Sequence, residues 1–172
     1  YPKDRRMDYA HYLLGMCYYE NIEGEKKDLQ PLIKAKREFI HVINNYPTTD
    51  FALDATFKIE LINDVMASKE MYLGRHYIKK EKWIPAINRF KSIVNNYDTT
   101  VYTEEAIHRL VEVHYKIGLE SEAKKYATLL GYNYLSSEWY KKSYKIFDKK
   151  YEEKKIKEKK SGLVKKFKKL FE

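Results

Sequence analysis

Apolar side chains recur along this chain at helical rather than strand spacing. From Asp50 to Met66 there is no glycine or proline, and Ala55, Ile59, Ile62 and Met66 fall at i, i+4, i+7 and i+11. That pattern predicts one continuous helix running on toward Lys80, about 45 Å long at roughly 1.5 Å per residue. Trp83, Ile87, Phe90 and Val94 mark one face of the next helix, with Pro85 in its first turn, where a missing N–H is tolerated. Thr49/Asp50 and Ser136/Ser137 suit N-caps, each near acids that favour a helix start. From Trp139 to about Lys160, Tyr140, Tyr144, Phe147 and Tyr151 form a further stripe, suited to capping the last repeat. No run alternates with period two for long enough to form a sheet, so the expected fold class is all-α.

One segment occurs twice. Phe39-Ile40-His41-Val42-Ile43-Asn44-Asn45-Tyr46-Pro47-Thr48-Thr49 returns 51 residues later as Phe90-Lys91-Ser92-Ile93-Val94-Asn95-Asn96-Tyr97-Asp98-Thr99-Thr100. A recurrence of that length is an internal repeat. Leu73-Gly74, Tyr77, Ala86 and Phe90 have the spacing of a tetratricopeptide (TPR) repeat, with Glu70 where Trp is frequent and Asp98 where Pro is frequent. Small Gly74 and Ala86 let two antiparallel helices approach, while Tyr77 and Phe90 fill the space between them.

The first copy carries Leu14-Gly15, Tyr18, Ala35, Phe39 and Pro47, but 17 residues separate Tyr18 from Ala35, against nine from Tyr77 to Ala86. The extra residues predict a loop within Glu20–Pro31, where Gly24, charges and Pro31 cluster. A third unit is drawn more faintly by Leu110, Tyr115, a turn at Gly118 and Ala123. The expected architecture is therefore about three helix-pair units (3–49, 50–100 and 101–135) forming a right-handed solenoid in a domain spanning 1–137. A Lys-rich helical extension, 138–172, follows. Tyr1-Pro2 resembles the Tyr46-Pro47 end of a unit, and without an initiator Met the chain reads as the C-terminal part of a longer protein.

Charge sharpens the division. Residues 141–172 hold 14 lysines and five acids, a surplus of nine, whereas residues 1–140 hold 20 basic and 20 acidic side chains. The repeat body thus offers no net attraction for nucleic acid. At 172 residues the chain can bury one domain's core, and no stretch of 18 apolar residues or signal peptide is present. Cys17, the single cysteine, excludes an internal disulfide and is expected to be a small buried hydrophobe on an apolar helix face.

Candidate chemistry is sparse. His108 and His114 are six residues apart, on different faces of a helix, and the other three histidines are scattered, so no metal site is expected. No phosphate-binding, nucleophile-elbow or dinucleotide motif occurs, and nothing points to an enzyme, a cofactor or a small-molecule substrate. The 17 tyrosines are expected to be mostly core fillers with hydroxyls at the surface, some of them lining a partner groove. After Ser161-Gly162, the segment Leu163-Val164-Lys165-Lys166-Phe167-Lys168-Lys169-Leu170-Phe171 reads as a short basic amphipathic helix. Lys165, Lys166, Phe167, Lys168, Lys169, Leu170 and Phe171 would suit an anionic membrane surface or polyanion, or form a solvated terminus.

These residues in combination resemble the C-terminal half of the BamD (ComL/YfiO) family of outer-membrane assembly lipoproteins, over roughly Tyr1–Leu135. The resemblance is carried by Asp8-Tyr9, Tyr12-x2-Gly15, the long insertion, and Ala35-x3-Phe39…Asn45-Tyr46-Pro47-x2-Asp50-x3-Asp54-Ala55. Tyr77-x5-Trp83-x4-Asn88-Arg89 and Asn96-Tyr97-Asp98-Thr99 complete it. It implies a non-enzymatic scaffold on the periplasmic face of the outer membrane, with its lipid anchor in a part that precedes this sequence. Such a scaffold would dock a POTRA domain of the barrel-forming subunit and contact accessory lipoproteins. By motif, Arg89 would face the POTRA domain, and Trp83, Asn88 and Tyr77 would be further partner-binding residues. The alternatives are a generic TPR adaptor holding an extended peptide, and a lipid- or polyanion-binding module acting through the tail.

Overall fold

The computed structural model describes residues 6–21 and 28–147. Among them every regular element is an α-helix: α1 (Met7–Glu20), α2 (Gln30–Asn45), α3 (Asp50–Lys79), α4 (Trp83–Asn96), α5 (Thr103–Lys116), α6 (Glu120–Asn133) and α7 (Glu138–Ile146). The chain divides between Thr103 and Glu104 into two compact units, one holding α1–α4 and the other beginning with α5. The continuous 30-residue α3 is the long helix that the Asp50–Met66 pattern predicts. Pro31 lies in the first turn of α2 rather than in the loop before it, because a residue without an N–H fits there.

The repeated Tyr-x-Thr-Thr segment is a hydrogen-bonded corner. Tyr46 N–H closes α2 on the Val42 carbonyl (2.8 Å), and the Thr49 N–H and hydroxyl both return to the Tyr46 carbonyl (3.2 and 2.9 Å). Thr49 Oγ1 then accepts from Ala52 N–H, capping α3. The second copy does the same: Tyr97 N–H bonds the Ile93 carbonyl, and Thr100 bonds the Tyr97 carbonyl through N–H (3.1 Å) and hydroxyl (2.7 Å). A third corner follows at Tyr134-Leu135-Ser136-Ser137. Tyr134 N–H bonds the Leu130 carbonyl, Ser137 N–H bonds the Tyr134 carbonyl, and Ser137 Oγ caps α7 at Trp139 N–H. Of the paired cap candidates, Thr49 and Ser137 are therefore the caps.

Close helix approach rests on glycines opposite rings. A Cβ on Gly15 of α1 would lie 2.7 Å from the Phe39 ring of α2, and one on Gly74 of α3 would lie 2.5 Å from the Phe90 ring of α4. Gly131 of α6 meets Tyr140 of α7 at 2.7 Å in the same sense. Buried Leu32, Ala35, Phe39, Ala55 and Ile62 form one core cluster of the first unit, with Tyr12, Met16, Tyr18, Tyr19 and Ile59 packed around it.

Cys17 departs from expectation: it is exposed. Gly15 is the buried position of α1, and two residues at about 100° each turn Cys17 to the far side of the helix. The apolar residues of α1 run all the way round it, so its sequence did not reveal which face packs. In the C-terminal stripe, Tyr140 packs on Gly131 and Phe147 sits edge-on to Tyr115 (5.5 Å), while Tyr144 stays exposed. The expected continuation through Tyr151 to Lys160, and the segment Leu163–Phe171, lie outside the described residues.

Candidate functional site

A polar cluster spans α2, α3 and α4 of the first unit. Gly74 brings α3 against Phe90, and this sets Glu70, one turn earlier on α3, beside Arg89, the neighbour of Phe90. Arg89 Nη1 donates to both Glu70 carboxylate oxygens at 3.3 Å, with 41% of the Arg89 side chain still exposed. Below them, the Tyr97 hydroxyl donates to Met66 Sδ (3.8 Å), and burial followed by the Glu70 charge raises its pKa. Lys36 of α2 donates to Asn63 Oδ1 (2.7 Å) and lies 5.9 Å from the Tyr97 ring centroid; burial lowers its pKa. The sequence marks Glu70 only as a departure from the usual Trp. Its partnership with Arg89, 19 residues away, and the approach of Lys36 have no signal in local spacing.

The four motif residues lie at the end of α3 and along α4. Tyr77 is half-buried near the C-terminus of α3, its ring 6.1 Å from His76. Trp83 opens α4 half-buried, Asn88 is exposed and Arg89 half-buried. At about 100° per residue, Trp83 and Arg89 stand roughly 120° apart around α4. Asn88 and Arg89 are therefore the adjoining pair at the surface. Lys165, Lys166, Phe167, Lys168, Lys169, Leu170 and Phe171 fall outside the described residues.

Other ionisable groups are spent on one another. Tyr12 donates to Asp54 Oδ2 (2.5 Å); burial and that carboxylate push its pKa up to about 12. Buried Glu38 meets His11 Nδ1 (2.9 Å) and Arg37. Burial alone would raise its pKa, but the His11 and Arg37 interactions outweigh it and bring the pKa down.

In the second unit Arg109 bridges Glu105 and Glu112 (3.1 and 2.6 Å). His108 Nδ1 meets Ser143 Oγ at 2.8 Å, and His108 Nε2 lies 3.6 Å from Glu112. Burial would raise the Glu112 pKa, but the His108 hydrogen bond and the Arg109 charge bring it to about 2. This line of Ser, His and Glu has the order of a nucleophile, base and orienting acid. Ser143 is 0% exposed, however, so no substrate reaches it, and the bond instead fastens α7 to α5. The Trp139 ring stacks near His108 (5.0 Å) and Arg109 (5.6 Å) in the same fastening. Among the described residues, no group of three or more His, Cys, Asp or Glu could hold a metal ion, and no helix is long and apolar enough to cross a membrane.

Paired helices, glycine–ring seams and half-exposed polar clusters define a TPR-like helix-repeat protein. The chain belongs to the YfiO (BamD) family, whose model, described as an outer membrane lipoprotein, matches residues 1–129. It is 42% identical over 146 residues to the outer membrane protein assembly factor BamD of Rickettsia prowazekii, covering 85% of this chain and 58% of that protein. The BamD of Caulobacter vibrioides is 39% identical over 148 residues (86% and 48%), and that of Neisseria gonorrhoeae 31% over 128 (67% and 47%). The chain thus spans about half the length of the relatives it matches.

Proposed function

We propose that this chain is a non-enzymatic scaffold in outer-membrane β-barrel protein assembly, working at the periplasmic face of the outer membrane as part of a lipid-anchored protein. Its helix pairs present surfaces to a POTRA domain of the barrel-forming subunit and to accessory lipoproteins. The relatives' name, outer membrane protein assembly factor, supports the process. One observation carries the docking site: Arg89 is anchored by Glu70 through a single guanidinium nitrogen and remains partly exposed beside exposed Asn88. A guanidinium has five donors in a rigid fork, so Arg89 can keep Glu70 and still grip a second carboxylate. Surface ion pairs contribute only about 0–1 kcal/mol, so the Glu70 pair does little to hold the fold and leaves Arg89 free to serve a partner.

The test is calorimetric titration of the purified POTRA region into the chain and its Arg89→Glu variant. Saturable binding that the substitution weakens at least about ten-fold is expected for a buried charged contact. Unchanged affinity would remove Arg89 from the interface, and no binding to either chain would remove the reading. The basic segment Lys165–Phe171 is proposed as an auxiliary contact to anionic membrane, tested by liposome sedimentation with its four lysines replaced by alanine.

A further inference from the structure

An apolar groove runs between α6 and α7, within the second unit. Its volume is about 620 Å³, and Lys124, Ala127, Thr128, Gly131, Tyr132, Tyr140, Tyr144 and Phe147 line it. Two helical stripes build it: Lys124, Thr128 and Tyr132 at i, i+4 and i+8 on α6, and Tyr140, Tyr144 and Phe147 at i, i+4 and i+7 on α7. Small Ala127 and Gly131 give it depth. Its floor is firm, because Tyr140 packs on Gly131 and Phe147 sits edge-on to Tyr115.

Its walls are costly to leave in water. Tyr132 is 88% exposed, and Tyr144, though its ring lies 5.7 Å from that of Tyr140, is 66% exposed. Exposed aromatics around a preformed apolar trough mark a recognition surface more than a core defect.

Charge selects the occupant. Among the described residues no carboxylate lines the groove, and Lys124 is its charged wall. Lys141 is exposed about a quarter turn from Tyr140 on α7. Neighbouring Lys125 is tied to Glu122 (2.6 Å) and Lys142 lies over Trp139 (4.2 Å), so those two are already engaged. The geometry points to a docking groove for an acidic amphipathic helix of a partner protein, its apolar face laid on Tyr132, Tyr140, Tyr144 and Phe147 and its carboxylates turned to Lys124 and Lys141. Helix-in-groove binding of this kind uses apolar anchors at i, i+3, i+4 and i+7. The inference is independent of Arg89, which lies in the other unit.

The probe is a fluorescein-labelled, helix-stapled 14-residue peptide with Leu and Phe at those four positions and Glu elsewhere, followed by anisotropy on the full chain. Saturable binding is expected. It should weaken at least about ten-fold in Lys124→Glu and in the Tyr132→Ser/Tyr144→Ser variant, while the circular dichroism of both variants stays unchanged because these side chains are exposed. Three results would overturn the proposal. They are no binding, equal binding of the same peptide with Lys in place of Glu, and displacement by a synthetic Leu163–Phe171 peptide, which would assign the groove to this chain's own basic segment.

Discussion

Glu81 and Gly118 hold the same position in two copies of one turn. Each lies eight residues after the Leu of its helix pair, Leu73 or Leu110. Both have positive φ, 56° and 83°. In the first copy Lys82 N–H reaches back to the Tyr77 carbonyl (2.9 Å), and in the second Leu119 N–H reaches the His114 carbonyl (2.9 Å). Glycine accepts this left-handed geometry without strain, whereas a side chain at Glu81 costs roughly 1–2 kcal/mol. Glu81→Gly should therefore stabilise the first unit by about 0.5–1 kcal/mol, once the added freedom of the unfolded chain is deducted. Gly118→Ala should destabilise the second by about 1 kcal/mol. Urea unfolding of each variant checks both signs.

The Gly74–Phe90 seam gives a steric prediction. A methyl group at Gly74 would meet the Phe90 ring at 2.5 Å, so Gly74→Ala should cost roughly 1–3 kcal/mol by overpacking. Adding Phe90→Leu should recover part of that loss. A double-mutant cycle on thermal unfolding measures the coupling, and additive losses would mean that the helices do not meet there.

Tyr12 links stability to alkaline pH. Its pKa is pushed up to about 12 by burial and Asp54, against an ordinary value of 10.0. A group whose folded pKa is raised stabilises the fold fully below the unfolded pKa and loses that contribution as pH rises through the folded one. The loss should therefore fall between about pH 10 and pH 12. Tyr12→Phe should remove a tyrosinate that ionises near pH 12 from an ultraviolet titration and lower stability at neutral pH by about 1–2 kcal/mol, since Asp54 loses its donor.

Glu112 gives the acidic counterpart. Its pKa of about 2, below the ordinary 4.5, means that its stabilising charge is present above pH 4.5 and is lost as pH falls toward 2. Glu112→Gln should lower stability at neutral pH and flatten acid unfolding across that window. Circular dichroism at a series of pH values reads the slope directly.

Much of this architecture is legible in local residue patterns, because caps, turns and apolar periods act over a few positions. Thr49 starts α3, Pro85 sits in the first turn of α4 and Gly118 turns the chain between α5 and α6, all as expected. The third corner at Tyr134 is harder to read: serine replaces threonine, and it follows Tyr97 by 37 residues, where Tyr97 follows Tyr46 by 51. The α5/α6 pair is faint for a packing reason. In register with Leu73 and Ala86, its Leu110 and Ala123 place Val111 where Gly74 stands and Ala127 where Phe90 stands, so the small and large positions have changed helices. Tyr115 is likewise not the equivalent of Tyr77; the turn puts His114 there, its ring 5.2 Å from Tyr126. The Arg89–Glu70 and His108–Ser143 pairs depend on how helices are juxtaposed, 19 and 35 residues apart, and no local period encodes them.

We propose above that the α3–α4 surface around Arg89 receives the barrel-forming subunit. A photo-crosslinking amino acid placed at exposed Asn88, in the full-length protein in cells, tests it most directly. Ultraviolet irradiation should yield one dominant adduct, containing the POTRA region of that subunit, and Arg89→Glu in the same chain should reduce it about ten-fold. Absence of that adduct, while the same probe at Tyr132 captures the barrel-forming subunit, would remove the Arg89 surface as the docking site.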